Sequence, residues 1–370
     1  MKFKENTMEI LKIPAAWKGD ELLNSQYWNY QLSSLEIGEI EAAIHALKSS
    51  SNSPLEFPQL KKTLEAVSEE LENGKGAVLL KGFPVDQYSE EELAEVYLTL
   101  CKQMGIPIRQ SNSNFDSPSR EKTQFITSIR AEADSSKDGK QSNDAYKLHT
   151  DRYDVLSLLC VRQARIGGEN RLASAVTIAN EMLQSHPEIA EALFQGMPWL
   201  FEGEKGWISY PIWSIHKGKF TTQLSSTYPR LSQFVEGAPR LTEKQKQGLD
   251  LIQAIGSKMG VTLTLEPGDW LMVNNHIVYH ARSSWKIESG EYDRLLLRVC
   301  FSPLNSRELP NTDTFKSIWG SVEAGKPRGG FLPNHKLPPD QAINEPLSET
   351  ESYWLDRYLK VRWVGIEAKK

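Results

Sequence analysis

The chain is poor in cysteine, has no long apolar run and carries no excess of positive charge. Its three cysteines, Cys101, Cys160 and Cys300, lie far apart in 370 residues, none of them in a CxxC pair. That count and spacing argue against a disulfide framework and a zinc ribbon, leaving small buried side chains in a reducing compartment. The longest apolar stretches, such as Val155 to Val161, are far too short to span a bilayer, and Met1 to Trp17 lacks the apolar centre of a secretion signal. A cytoplasmic protein with no membrane partner is the expectation. A formal net charge of -5 supplies no basic field for nucleic acid. Disorder is equally disfavoured, because 39% hydrophobic and 25% charged residues suit a packed core.

Single cores stop growing at roughly 250–300 residues, so the length allows one large domain with extensions, or two domains. Leu35 to Gly74 reads as helical: Ile37, Ile40, Ile44 and Leu47, then Leu60, Leu64, Val67 and Leu71, fall at helical spacing. Gly76 to Gly82 reads as a short buried strand, and Ser89 with Glu92 opens a helix that ends near Gly105. Gln110 to Tyr146 is long and polar, which suits a functional loop or lid, with a strand at Phe125 to Ile129. Helices are expected over Ile178 to His186, from Pro187, and from Thr242 to Met259. Strands are expected around Lys147 to Ala173, Tyr210 to Ser225, Val261 to Leu265, Trp270 to Tyr279 and Arg294 to Phe301, and a short helix near Tyr353 to Val361. Many strands with glycine-rich turns, and no regular alternation with helices, point to a β-sandwich or barrel decorated by helices.

Three places carry chemistry. His149-Thr150-Asp151 puts an imidazole and a carboxylate at alternate positions, hence on one face of a strand. One such pair is a weak signal, since a surface histidine near an aspartate arises readily by chance. His186-Pro187-Glu188 has the same pattern but straddles a helix start, so it is set aside. The second place is Glu266 to Arg282, with His276 and His280 four apart. Helical spacing would suit a zinc pair, but the Pro267-Gly268 turn and the run of Trp, Val, Ile and Tyr favour a strand. Residues four apart share a face there too, so spacing alone does not choose between them. The third is Arg294-Leu-Leu-Leu-Arg298, two arginines on one side of an apolar strand. Buried guanidinium groups need acceptors, and their fork matches a carboxylate; a structural ion pair is the competing reading. Trp207, Tyr210, Trp213 and Tyr228 would line a pocket or, as aromatics more often do, fill the core.

In this order the three elements resemble the taurine dioxygenase family of non-haem iron oxygenases. The resemblance rests on His149-Thr-Asp151, Gly167-Gly-Glu-Asn-Arg-Leu-Ala-Ser174, Pro267-Gly-Asp-Trp270, Asn275, His280-Ala-Arg282, and Arg294 with Arg298, and it extends over roughly Gly76 to Pro303. It implies a mainly β fold with helices: a double-stranded β-helix (jelly-roll, cupin-like) core at 76–303, a helical N-terminal extension at 1–75 packed on it, and a C-terminal extension at 304–370. It implies Fe(II) held by His149, Asp151 and His280, with 2-oxoglutarate as cosubstrate and O2 as oxidant. Arg294 matches the arginine that grips 2-oxoglutarate, and Asn170 stands where the family has a hydroxyl residue; an amide still donates a hydrogen bond. Arg298 matches a position facing the substrate anion or 2-oxoglutarate. His276 departs from the family's usual arginine and is left beside the metal or on substrate.

The expected reaction is oxidation, by hydroxylation, of an unactivated C–H bond in a small acidic or amino-acid-like molecule, releasing succinate and CO2. Desaturation or cyclisation can branch from the same chemistry. Arg152, Arg282 and Arg298, with His276, are the candidate substrate contacts, against the reading that Arg152 and Arg282 only pair locally. Asn275 is a candidate support for the metal strand or a plain strand-end cap. A non-redox metal-binding β-helix and a zinc hydrolase using His276 and His280 are the rival classes. Self-association into a homo-oligomer is compatible with all of these.

Overall fold

Local sequence sets most of the helix boundaries. The side chains of Ser33, Ser89 and Thr242 each accept the backbone N–H three residues on, and Glu36, Glu92 and Gln245 reach back to complete capping boxes. The structure is a computed structural model that describes residues 10–49, 55–110, 125–130, 143, 145–201, 205–225, 227–286 and 294–330. Most of the expected lid, and the expected helix near Tyr353, lie outside the described residues.

In chain order the strands are β1 Tyr30–Gln31, β2 Ala77–Lys81, β3 Gly105–Pro107, β4 Ile126–Ile129, β5 Tyr146–His149, β6 Val155–Arg162, β7 Asn170–Ser174, β8 Met197–Leu200, β9 Trp207–Tyr210, β10 Trp213–His216, β11 Lys219–Thr222, β12 Val261–Leu263, β13 Trp270–Asn274, β14 Val278–Arg282 and β15 Leu295–Pro303. The helices are α1 Gly19–Leu23, α2 Ser34–Lys48, α3 Leu60–Asn73, α4 Glu90–Met104, α5 Ala175–Ser185, α6 Pro187–Phe194, α7 Thr227–Leu231, α8 Glu243–Met259 and α9 Asp313–Trp319. Sequence periodicity anticipated α2 to α6 and α8, but not α9 or the β8–β9 hairpin.

A larger sheet runs β1-β2-β13-β6-β15-β3, with β4 also paired to β15; a smaller sheet runs β12-β7-β14-β5. All pairings in these sheets are antiparallel except β1 with β2. The larger sheet is covered on both faces, which is why its strands read as unbroken apolar runs. Leu156, Leu158 and Cys160 of β6, with Leu296 and Cys300 of β15, join the core between the sheets. Val155, Leu159 and Val161, with Leu295, Leu297, Val299 and Phe301, join the core under α2, α3 and α4. Arg294 and Arg298 share the even-numbered face, so the register turns both toward the inter-sheet space. The result is the jelly-roll core expected from the resemblance, with helices on its outer faces.

Trp270 to Tyr279 is not one strand. β13 belongs to the larger sheet and β14 to the smaller, and the chain turns the corner at 275–277. Asn274 makes that corner: its Oδ1 accepts the His276 N–H at 2.9 Å and its carbonyl the Ile277 N–H at 3.2 Å. Tyr210 and Trp213 follow the core reading, the first accepting from Trp319 Nε1 at 2.9 Å and the second donating to the Tyr279 hydroxyl at 2.8 Å.

Candidate active site

Two histidines face each other across neighbouring strands. In the pairing of β14 with β5, His280 lies directly opposite His149, and the ring centroids are 4.3 Å apart. β5 has this register because Leu148 is buried against α8, where a Cβ on Gly256 would meet it; alternation then turns His149 to the opposite face. His149 Nδ1 sits 2.8 Å from the Lys147 carbonyl, so it carries the proton and leaves the lone pair on Nε2. Burial, with added repulsion from His149, pushes His280 down to about 3, which keeps that ring neutral and able to donate its lone pair.

Asp151 was expected on the same strand as His149, but β5 ends at His149 and Asp151 lies in the following loop. Side-chain contacts replace strand geometry there. Asn275 Oδ1 accepts the Asp151 N–H at 3.0 Å, and Thr150 is tied to Leu224 by a 2.8 Å bond to its hydroxyl and a 3.0 Å bond from its amide. Asp151 Oδ2 lies 3.2 Å from Arg298 Nη1 and 3.9 Å from His280 Nε2. One ligand atom from each of His149, Asp151 and His280 falls within 4.8 Å of the others.

His276 is drawn away from this group. It occupies the corner between the sheets at 1% exposure, so spacing of four does not put it on the face of His280. Both ring nitrogens are engaged, Nδ1 with the Thr221 hydroxyl at 2.5 Å and Nε2 with Asp154 Oδ1 at 2.6 Å. Burial outweighs Asp154 and holds its pKa down, at about 4. The structure therefore leaves no His276–His280 pair for a zinc hydrolase, and both nitrogens of the buried His276 ring are already engaged.

Two buried arginines, Arg294 and Arg298, stand behind these three side chains. Arg294 stacks on Trp285 at 4.6 Å and donates from Nε to Gln163 Oε1 at 3.0 Å, while its Nη1 meets no acceptor among the described residues. The Asn170 amide nitrogen is likewise buried without an acceptor among them. Gly168 lies against this arginine with φ of +78°, and a Cβ there would come within 3.0 Å of Arg294 Nε. Burial lowers Arg294 to about 10, still charged at neutral pH. Arg298 donates from Nε to Gln110 Oε1 at 2.6 Å as well as to Asp151, so it braces the carboxylate. Arg152 donates to the Gly330 carbonyl at 2.6 Å, a contact to a segment distant in sequence. Arg282 shares the His280 face of β14 and lies over Tyr146 at 4.8 Å and Trp285 at 4.2 Å. Sequence reasoning missed Gln110, Gln163, Asp154 and Arg328; only a lone polar residue closing an apolar strand hinted at Gln163.

The donor set fits a divalent iron. Two imidazoles and a carboxylate on one face leave the remaining positions open. Two buried N–H donors without acceptors, on Arg294 and Asn170, suit the carboxylate of a dicarboxylic acid. Fold and donor set together define a class, the 2-oxoglutarate-dependent non-haem iron oxygenases.

Residues 44–300 match the family described as "Taurine catabolism dioxygenase TauD, TfdA family", and the chain belongs to it. It is accordingly a dioxygenase that uses Fe(II), 2-oxoglutarate and O2 to oxidise a C–H bond. The FR-33289 synthase of Streptomyces rubellomurinus is 28% identical over 350 residues, 86% of this chain and 99% of that protein. The taurine hydroxylase-like protein SAT17 of Stachybotrys chartarum is 25% identical over 311 residues, 77% of each. Among solved structures, asparagine oxygenase with Fe(II), 2S,3S-3-hydroxyasparagine and succinate superposes with a TM-score of 0.57 at 17% identity, covering 74% of this chain and 93% of that one. The non-haem iron oxygenase OrfP with Fe, succinate and (3S)-hydroxy-L-Arg gives 0.57 at 16%, covering 77% and 98%. Among the described residues no helix is long and apolar enough to cross a membrane.

Proposed function

We propose that this enzyme hydroxylates an unactivated carbon of a small acidic or amino-acid-like molecule, with Fe(II) on His149, Asp151 and His280. The convergence of those three side chains carries the reading. Arg294 and Asn170 would grip the distal carboxylate of 2-oxoglutarate with the two N–H groups that lack acceptors. Bound Fe(II) and 2-oxoglutarate supply the oxidising power that breaks the C–H bond, with succinate and CO2 as by-products.

The protein's share is position and electrostatics. The Lys147 carbonyl fixes the His149 ring so that Nε2 faces the metal. Arg298 takes one lobe of charge on Asp151, which holds that carboxylate in a single orientation. Trp285 covers the Arg294 guanidinium and keeps water from the cosubstrate end of the pocket. Arg282, beside Tyr146 on the His280 face, is the arginine taken as facing an anionic substrate group, because it lies on the same face of β14 as His280. Hydroxylated amino acids bound to asparagine oxygenase and OrfP support an amino-acid-like substrate. A synthase among the relatives supports a biosynthetic role, in which desaturation or ring closure is the second outcome. Residues 1–75 and those after 303 are taken as extensions of one catalytic domain, in a cytoplasmic protein whose three cysteines are buried outside any disulfide.

The test is anaerobic reconstitution with Fe(II) and 2-oxoglutarate, which should give the weak visible charge-transfer band of the chelate. Asp151→Ala should abolish the band and Zn(II) should displace it. Succinate formation at the wild-type rate by Asp151→Ala would overturn the ligand assignment.

A further inference from the structure

We propose that Arg328, far from the metal ligands in sequence, positions Asp151 for metal binding by locking the loop that carries it. The inference rests on the metal assignment proposed above. That loop, residues 150–154, joins β5 to β6 and has no strand partner of its own. Asn275 holds both of its ends, accepting the Asp151 N–H at 3.0 Å through Oδ1 and donating its own N–H to the Asp154 carbonyl at 2.9 Å. Leu224 ties Thr150 at the start of the loop and Arg298 donates to Asp151, while Arg328 and Gly330 hold its second half. Arg328 is fully buried and puts Nε and Nη2 each 2.8 Å from Asp154 Oδ1, which also accepts from His276. Two residues on, Gly330 donates to the Arg152 carbonyl at 2.7 Å and accepts from Arg152 Nη2 at 2.6 Å. The segment is itself anchored, because the Arg328 N–H donates to Ser302 Oγ at 3.2 Å.

The physical reason for the lock is the charge of Asp154. Its side chain is 2% exposed, and a lone carboxylate at that depth either takes a proton or moves toward water. Burial pushes its pKa up, and the Arg328 guanidinium, followed by His276, brings it down below the ordinary value. Without Arg328 the loop would follow Asp154 outward, and Asp151 lies three residues away on the same loop. Partners that orient a metal ligand are worth roughly 10- to 100-fold in metal affinity.

The experiment titrates Co(II) anaerobically into the full chain, read by calorimetry and by the visible bands of the bound ion. Folded Arg328→Met should bind at least about tenfold more weakly than wild type, with altered bands. Arg328→Lys keeps the charge and should recover most of that loss. The double variant Arg328→Met with Asp154→Asn leaves no unpaired buried charge, so it should fold, and it should remain weak. Binding within about twofold of wild type by either folded Met variant overturns the proposal. So does a double variant that cannot fold, because Arg328 would then be serving stability alone. Asp151→Ala is the control. If it retains Co(II), the metal assignment has failed; if it loses Co(II) while Arg328→Met does not, only the positioning role has.

Discussion

Arg294→Leu isolates the cosubstrate grip from the rest of the site. The side chain is 3% exposed, lies on Trp285, and has one terminal nitrogen without an acceptor. A 2-oxoglutarate carboxylate would supply that acceptor, and losing one partner of a buried hydrogen-bonded charge pair costs about 2–5 kcal/mol. Taking about 2.8 kcal/mol from that range, the dissociation constant rises about 100-fold, since every 1.4 kcal/mol is about tenfold. With cosubstrate at 100 times the wild-type constant, ligand binding stabilises the wild-type fold by about 2.7 kcal/mol; the variant, then at its own dissociation constant, gains only about 0.4 kcal/mol. Urea unfolding with and without 2-oxoglutarate, anaerobically and at fixed Fe(II), reads both numbers directly. Stability without cosubstrate should change far less, because Gln163 Oε1 keeps its 2.9 Å bond from the Ala164 N–H when Arg294 leaves. A variant stabilised by cosubstrate to within about 0.5 kcal/mol of the wild-type increment would refute the grip.

Two further outcomes follow from the surroundings of the site. His276 has its folded pKa near 4, lowered from 6.5, so the unfolded chain binds the extra proton between those values. Stability contributed by this group is therefore complete above pH 6.5 and declines as pH falls toward 4, by on the order of 3 kcal/mol in all. Denaturation at pH 7.5 and 5 should give a steeper loss in wild type than in His276→Gln, and parallel losses would contradict it. Gly168→Ala forces φ of +78° on a residue with a Cβ and presses that carbon to 3.0 Å from Arg294 Nε. It should cost about 1–2 kcal/mol in urea unfolding and also weaken 2-oxoglutarate binding; a loss of stability with cosubstrate affinity unchanged would separate the glycine from the pocket.

Sequence pattern revealed most where one period held over a whole element. The caps at Ser89 and Thr242 and the apolar spacing of Leu60 to Leu71 announced their helices because helical signals are local. The run from Trp270 to Tyr279 misled, since both β13 and β14 are apolar and a corner that moves the chain between sheets leaves no mark in an alternating pattern. His276 and His280 looked equivalent for that reason. Only the corner, made by Asn274 and filled by Asp154 and Thr221, turns one ring inward and leaves the other opposite His149. Arg328 gave no signal: it follows the short turn Gly325-Lys-Pro327, which reads as surface, and its partner is 174 positions away.

The buried charges of this protein behave as tethers. Arg298 joins β15 to the metal loop, Arg328 joins the segment after α9 to the same loop, and Arg307 joins the segment after β15 to Glu72 of α3 at 3.0 Å. An apolar replacement of such a pair is often as stable, so stability alone does not account for three of them. What each pair adds is a penalty for misplacement, because parting it strands a charge at a cost of about 3–5 kcal/mol. Glu72 makes the penalty visible: burial outweighs even Arg307 and leaves its pKa raised. Two such losses approach the whole stability of an ordinary domain, about 5–15 kcal/mol. Segments that hydrophobic packing would allow to slide are thereby held at one register, and the Asp151 carboxylate, carried on a loop instead of a strand, is the group that most needs it.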